Sequence, residues 1–180
     1  MALVRLKKDG YGQIELNNVA FRRDGRIEAQ CKLDDTDFAT IPAENGMLLA
    51  VDEVNKTIKF AVDGDLPIAL NYTAEHMYDE RKEGLKNFAL ERGTFLPRLG
   101  YPSVGDKFTT NCVGYESTEW ATEDKLKAAF DAGTRIYGGA SNEGIIKISA
   151  TKPTYGPVMI CKKATMPDGQ FAIKFHVLTA

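Results

Sequence analysis

Two apolar-rich runs flanking Met166-Pro167-Asp168-Gly169 constrain this chain more than any other stretch. The joint is a turn for a physical reason. Proline presets φ at the first central position, aspartate tolerates the second, and glycine accepts φ > 0 where the next strand begins. In the returning run Phe171, Ile173, Phe175 and Val177 fall on every second residue, which places them on one face of a strand. Ala172, Lys174, His176 and Leu178 take the other, more mixed face. A lone hairpin is marginal in water, so the aromatic face must be covered by the rest of the chain. The expected cover is the apolar stripe of a helix, through Leu126 or Phe130.

That helix is the clearest one in the sequence, Thr122 to Gly133. Thr122 suits the N-cap, Glu123 and Asp124 suit the first turn, and Gly133 suits the position just past the end. Leu126, Ala129 and Phe130 form its stripe. At about three turns it is too short to stand alone.

The remainder is read as short strands. Ile14 and Leu16 alternate, Asn17-Asn18 breaks the phase, and Val19 and Phe21 resume it, as at a β-bulge or tight turn. Arg23-Asp24-Gly25-Arg26 is a hairpin signal leading to alternating Ile27, Ala29, Cys31 and Leu33. Leu48–Val51 and Thr57–Val62 form a second hairpin pattern closed by Asp63-Gly64-Asp65, and the expectation is a meander with one dry face and one wet face. From Asn71 onward the texture changes. Thr73 is placed to cap one helical turn through Tyr78, and Asp79–Glu83 reads as a solvated charged run. Gly84, Gly93, Pro97, Gly100, Pro102 and Gly105 then preclude long regular elements, while Phe88, Phe95 and Tyr101 are too apolar for an open loop. This stretch is expected to be an extended, proline-pinned arm that packs along its own domain or on a partner. A turn at Val104–Gly105 leads into a strand, Tyr137–Asn142 reads as a loop, and Gly144–Ala150 as a strand.

The fold class is therefore mainly β (α+β), an antiparallel meander or barrel-like domain with one short helix and a Gly/Pro-rich arm. The expected divisions are an N-terminal β subdomain over 1–70, the arm over 71–115, and the helix with the closing hairpin over 116–180.

Composition narrows the function classes. At 180 residues with 43% hydrophobic and 27% charged residues the chain has ordinary globular content. A formal charge of −2 with no basic run longer than two residues gives no electrostatic case for nucleic acid. No apolar run reaches the ~18–20 residues of a membrane helix, and charge stands at the N-terminus where a secretion signal would be apolar. The expectation is a chain made and kept in solution. Cys31, Cys112 and Cys161 are odd in number and widely spaced, as expected of free, mostly buried thiols.

Chemistry-bearing motifs are sparse. His76 and His176 stand a hundred residues apart, and nothing local pairs either with a cysteine as nucleophile and base. Asp34-Asp35-Thr36-Asp37 lacks the glycine and distal glutamate of a calcium loop and reads as a solvated turn. Gly10-Tyr11-Gly12 and Tyr137-Gly138-Gly139-Ala140 lack the Lys-Ser/Thr and the following helix of a phosphate loop. No catalytic, cofactor-binding or metal-binding set is assigned, and no cofactor is expected.

Three stretches carry a resemblance. Tyr78-Asp79-Glu80-Arg81-Lys82-Glu83-Gly84-Leu85-Lys86-Asn87-Phe88, Gly105-Asp106-Lys107-Phe108-Thr109-Thr110-Asn111, and Thr165-Met166-Pro167-Asp168-Gly169-Gln170 followed by Ala172 and Lys174 are together, and in this order, similar to tailed-bacteriophage head proteins of the capsid decoration (cement) type. The resemblance covers about residues 70–180. It implies a β-rich, non-enzymatic virion protein, made in the host cytoplasm, that binds the major capsid protein of an assembled shell, with further copies of itself as a second candidate partner. Phe95, Arg98 and Tyr101 of the arm are the expected partner-binding anchors, because aromatic and arginine side chains dominate interface hot spots. Two other classes stay open: a small-ligand or glycan-binding β module, marked by aromatics in one concave site, and an enzyme with a dispersed site, marked by buried titratable groups converging in one pocket.

Overall fold

The computed structural model describes residues 2–21, 31–61, 66–73, 85–93 and 98–180. The chain opens with β1 (Val4–Arg5), β2 (Ile14–Asn18), β3 (Lys32–Leu33), β4 (Ala43–Glu44), β5 (Leu48–Asp52), β6 (Thr57–Phe60) and β7 (Ile68–Asn71). A 3-10 turn at Leu85–Asn87 precedes β8 (Ala89–Leu90) and β9 (Leu99–Gly100). There follow β10 (Lys107–Thr110), β11 (Val113–Tyr115), helix α1 (Glu123–Asp131), β12 (Tyr137–Gly139), β13 (Ile146–Ser149), β14 (Val158–Thr165) and β15 (Phe171–Thr179). The protein is mainly β, with a curled half-barrel sheet.

The large sheet runs β1-β11-β13-β12-β14-β15-β10-β2. A second sheet runs β3-β6-β5-β7-β9, and β4 pairs with β8. Most pairings are antiparallel, but β11 with β13 and β3 with β6 are parallel. Strands from 1–70, 71–115 and 116–180 all enter the large sheet, so sheet boundaries do not fall at 70 or 115.

The closing hairpin forms as its turn chemistry dictates. The Gly169 N–H donates to the Met166 carbonyl at 2.9 Å, the Met166 N–H donates to the Gln170 carbonyl at 2.8 Å, and Gly169 sits at φ +88°. β14 and β15 then pair from Thr165↔Phe171 onward. Ile173, Phe175 and Val177 are fully buried beside Leu126 of α1 in one core. Phe171 is only half-buried; the Lys127 ammonium lies 4.5 Å above its ring. At the helix, Thr122 Oγ1 accepts from the Lys125 N–H, and Gly133 at φ +77° lets the last carbonyls be capped by the Gly133 and Thr134 N–H groups. Leu126 is buried while Ala129 and Phe130 are half-buried.

The phase break at Asn17–Asn18 is a β-bulge. β2 advances from Glu15 to Asn18 while β10 advances only from Thr109 to Lys107. The Arg23–Arg26 turn, Ile27, Ala29, Val62, Asp63–Asp65, the helical turn from Ala74 to Tyr78 and the charged run Asp79–Glu83 lie outside the described residues.

Two expectations are corrected. The β5–β6 hairpin forms, but β5 and β7 are buried at every position rather than wet on one face. Leu48, Ala50, Ile68 and Leu70 enter the core shared with β15, while Leu49, Val51 and Ala69 enter a second core on the opposite side. Cores on both faces leave no wet side. The other correction is at Tyr137-Gly138-Gly139, which is not a loop but strand β12, paired with both β13 and β14. A Cβ on Gly138 would come within 2.5 Å of the Phe175 ring, and one on Gly139 within 2.5 Å of Pro153. The glycines admit close packing from both faces.

Candidate functional site

The arm anchors separate. Phe95 lies outside the described residues. Arg98 is half-buried, its guanidinium carbon 4.8 Å from the Tyr72 ring centroid and its backbone N–H donating to Thr73 Oγ1 at 2.7 Å. Tyr101 is 3% exposed and packs in the second core. The side chain of Tyr101, expected as a partner-binding anchor, is thus packed within the chain's own core. Although glycines and prolines keep the strands of this stretch short, β9 still pairs with β7 and draws the following tyrosine inward.

His176 is exposed on β15, and His76 lies outside the described residues. None of the three cysteines is in a disulfide. Burial pushes the Cys112 thiol up to about 12 and also raises Cys161 well above its ordinary value. In the acidic turn, Asp34 Oδ1 accepts from the Thr36 and Asp37 N–H groups, and Asp37 accepts from the Phe60 N–H. Those carboxylates organise backbone. Among the described residues no group of three or more His, Cys, Asp or Glu is arranged to hold a metal ion.

Three features emerge only in three dimensions. One is a buried carboxylate. Glu44 of β4 is 2% exposed, and Arg5 Nη2 of β1 lies 2.8 Å from both its oxygens. Lys8 Nζ and the Gly12 N–H also donate to it. The charge is thus answered by two cations and an amide, which ties residues 5–12 to β4.

Another is a polar node at the tip of the closing hairpin. The Asp9 N–H donates to Gln170 Oε1 at 2.7 Å, and Gln13 Nε2 donates to Asp168 Oδ2 at 2.8 Å. The Gln13 N–H donates to Asn111 Oδ1 at 2.7 Å, the Tyr11 N–H donates to the Lys86 carbonyl at 2.6 Å, and Lys86 pairs with Asp9. Partial burial would raise the Asp168 pKa, but hydrogen bonds from Gln13 and Gln170, with Lys86 nearby, hold it below the ordinary value. Residues 9–13 therefore join Lys86, Asn111 and the Asp168–Gln170 turn.

The third is a cleft of about 500 Å³ on the outer face of β12 and β13. Ile146 and Ile148 point inward and are fully buried, so Lys147 and Ser149 point outward. Register places Tyr137 opposite Ser149 and Gly139 opposite Lys147, on the same outward face. The segment 151–155 completes the cleft, with Pro153 against Gly139 and the Tyr155 hydroxyl donating to the Ala61 carbonyl at 3.2 Å. Lys147 Nζ lies 2.5 Å from Glu116 Oε1, and that hydrogen bond lowers the Glu116 pKa.

Protein-family models, curated proteins and solved structures were each compared with the chain, and none matches.

The cleft was not legible as a site in the sequence. Its one local signal, Tyr137-Gly138-Gly139, reads as a plain loop and lacks the marks of a phosphate loop. The Glu44 pairing had no signal, because its partners lie more than thirty residues away.

Proposed function

We propose that the chain is a non-enzymatic virion structural protein that binds the surface of an assembled phage capsid and reinforces it. The observation that carries this reading is the polar node. The three stretches similar to decoration proteins contribute Lys86, Asn111, Asp168 and Gln170, and these meet around residues 9–13. A likeness spread by chance over a hundred residues would have no reason to converge on one structural joint. A β-rich fold with tightly braced turns is also suited to a part that adds mechanical support. The partner in this reading is the major capsid protein, with contacts between neighbouring copies multiplying a modest affinity.

The test is cosedimentation. Purified chain is mixed with shells assembled from a tailed-phage major capsid protein, with chain alone as control. Saturable pelleting with the shells, and none without them, is the expected result. A chain that stays in the supernatant while the shells pellet overturns the reading.

A further inference from the structure

We propose that the cleft between β12–β13 and residues 151–155 binds a carbohydrate, preferentially one carrying a carboxylate. At about 500 Å³ it lies within the roughly 300–1,000 Å³ of small-molecule sites. Its lining is the mixture that a sugar ring requires. A pyranose presents C–H groups on one face and hydroxyls around its rim. Each hydroxyl is both donor and acceptor.

Tyr137 and Tyr155, both half-buried, line this one concave site and offer flat apolar surfaces for the C–H face. Around them Ser149, Thr151 and Asn142 supply groups that donate and accept. Glu116 supplies a fixed acceptor, because Lys147 holds it ionised and oriented. A lipid would leave these polar groups unpaired. A bare phosphate has no C–H face to lay against Tyr137 or Tyr155. Lys152 lines the same cleft and makes no ion pair among the described residues, so the lining carries two ammonium groups against one carboxylate. That surplus favours a uronic or similarly acidic sugar.

The strand geometry holds the site open. Tyr137, Gly139, Lys147 and Ser149 share one face of a hydrogen-bonded strand pair, and Tyr155 is anchored through its hydroxyl. Capsid attachment is not required for any of this, so the two readings stand or fall separately.

The experiment is calorimetric titration of the full chain with trigalacturonate and, separately, with neutral maltotriose. Trigalacturonate is expected to bind saturably, and maltotriose about tenfold more weakly, equivalent to roughly 1.4 kcal/mol. Lys152→Ala, at an exposed position, should keep its melting temperature and remove the difference between the probes. Tyr137→Ala should weaken both on the order of tenfold. If Tyr137→Ala does not fold, Thr151→Trp at the exposed rim should fill the cleft and abolish binding. No saturable heat from either probe overturns the proposal, as does undiminished binding in a folded Tyr137→Ala or Thr151→Trp variant. Equal binding of both probes by the unaltered chain overturns the carboxylate preference.

Discussion

Phe175 has no exposed surface, and its ring stacks on Phe108 at a centroid distance of 5.3 Å. Truncation would leave a void that Gly138, pressed against the ring edge, has no side chain to fill. Phe175→Ala is expected to destabilise the fold by about 3–5 kcal/mol, read by chemical denaturation. A shift below about 1 kcal/mol would refute its place in the core. Cys112 yields a pH prediction. Its thiol ordinarily titrates at 9.0, and burial pushes it up to about 12 in the folded chain. Between those values the native state binds the proton that the unfolded state has lost. Its contribution to stability is therefore complete below the lower value and is lost as pH rises through the higher one. Cys161, also raised by burial, acts in the same direction. Cys112→Ala should accordingly show a shallower alkaline loss of stability than the unaltered chain in urea unfolding across that window. Parallel profiles would mean that the thiol is accessible to water.

The same physics explains which elements could be read in advance. The closing hairpin and α1 were legible because their instructions are local: a Pro-Asp-Gly turn with period-two apolar residues, and Thr122 and Gly133 at the two ends of one apolar stripe. β12 was not legible. Two adjacent glycines weaken a strand taken by itself, and what demands them is Phe175 and Pro153, far along the chain. The double burial of β5 had a faint signal in the unbroken run Leu48-Leu49-Ala50-Val51, since continuous apolar runs mark strands covered on both faces. The cleft, the polar node and the Glu44 clamp depend on register between distant strands, which no local pattern encodes. The clamp is testable as an element. Glu44→Ala removes the counter-charge of Arg5 and Lys8 and unpins residues 5–12 from β4. Because Arg5 retains 33% side-chain exposure, the expected loss is at the lower end for a broken buried pair, about 3 kcal/mol. Faster amide exchange should appear first in β1. Unchanged stability would show that water replaces the carboxylate without penalty.

At the scale of the whole molecule, the Gly/Pro-rich stretch braces the fold from within through β8, β9 and the buried Tyr101. Tyr101→Ser should therefore lower the melting temperature; under the proposed capsid-binding role, shell binding should persist in the cold. Under the same proposal, Arg98→Ala should weaken shell binding, by ~2 kcal/mol if the side chain is a central contact. Loss of binding in Tyr101→Ser at an unchanged melting temperature would return that residue to the interface. The strand order of the large sheet also bears on how the chain is made. β10 lies between β2, synthesised well before it, and β15, synthesised some sixty residues after it. A growing chain on the ribosome can join β10 to β2 early, yet the opposite edge of β10 stays open until the closing hairpin emerges. During that interval the nascent protein carries a bare strand edge of the kind that invites pairing with other chains. In any cell making many copies at once, rapid covering of that edge favours the yield of the finished molecule.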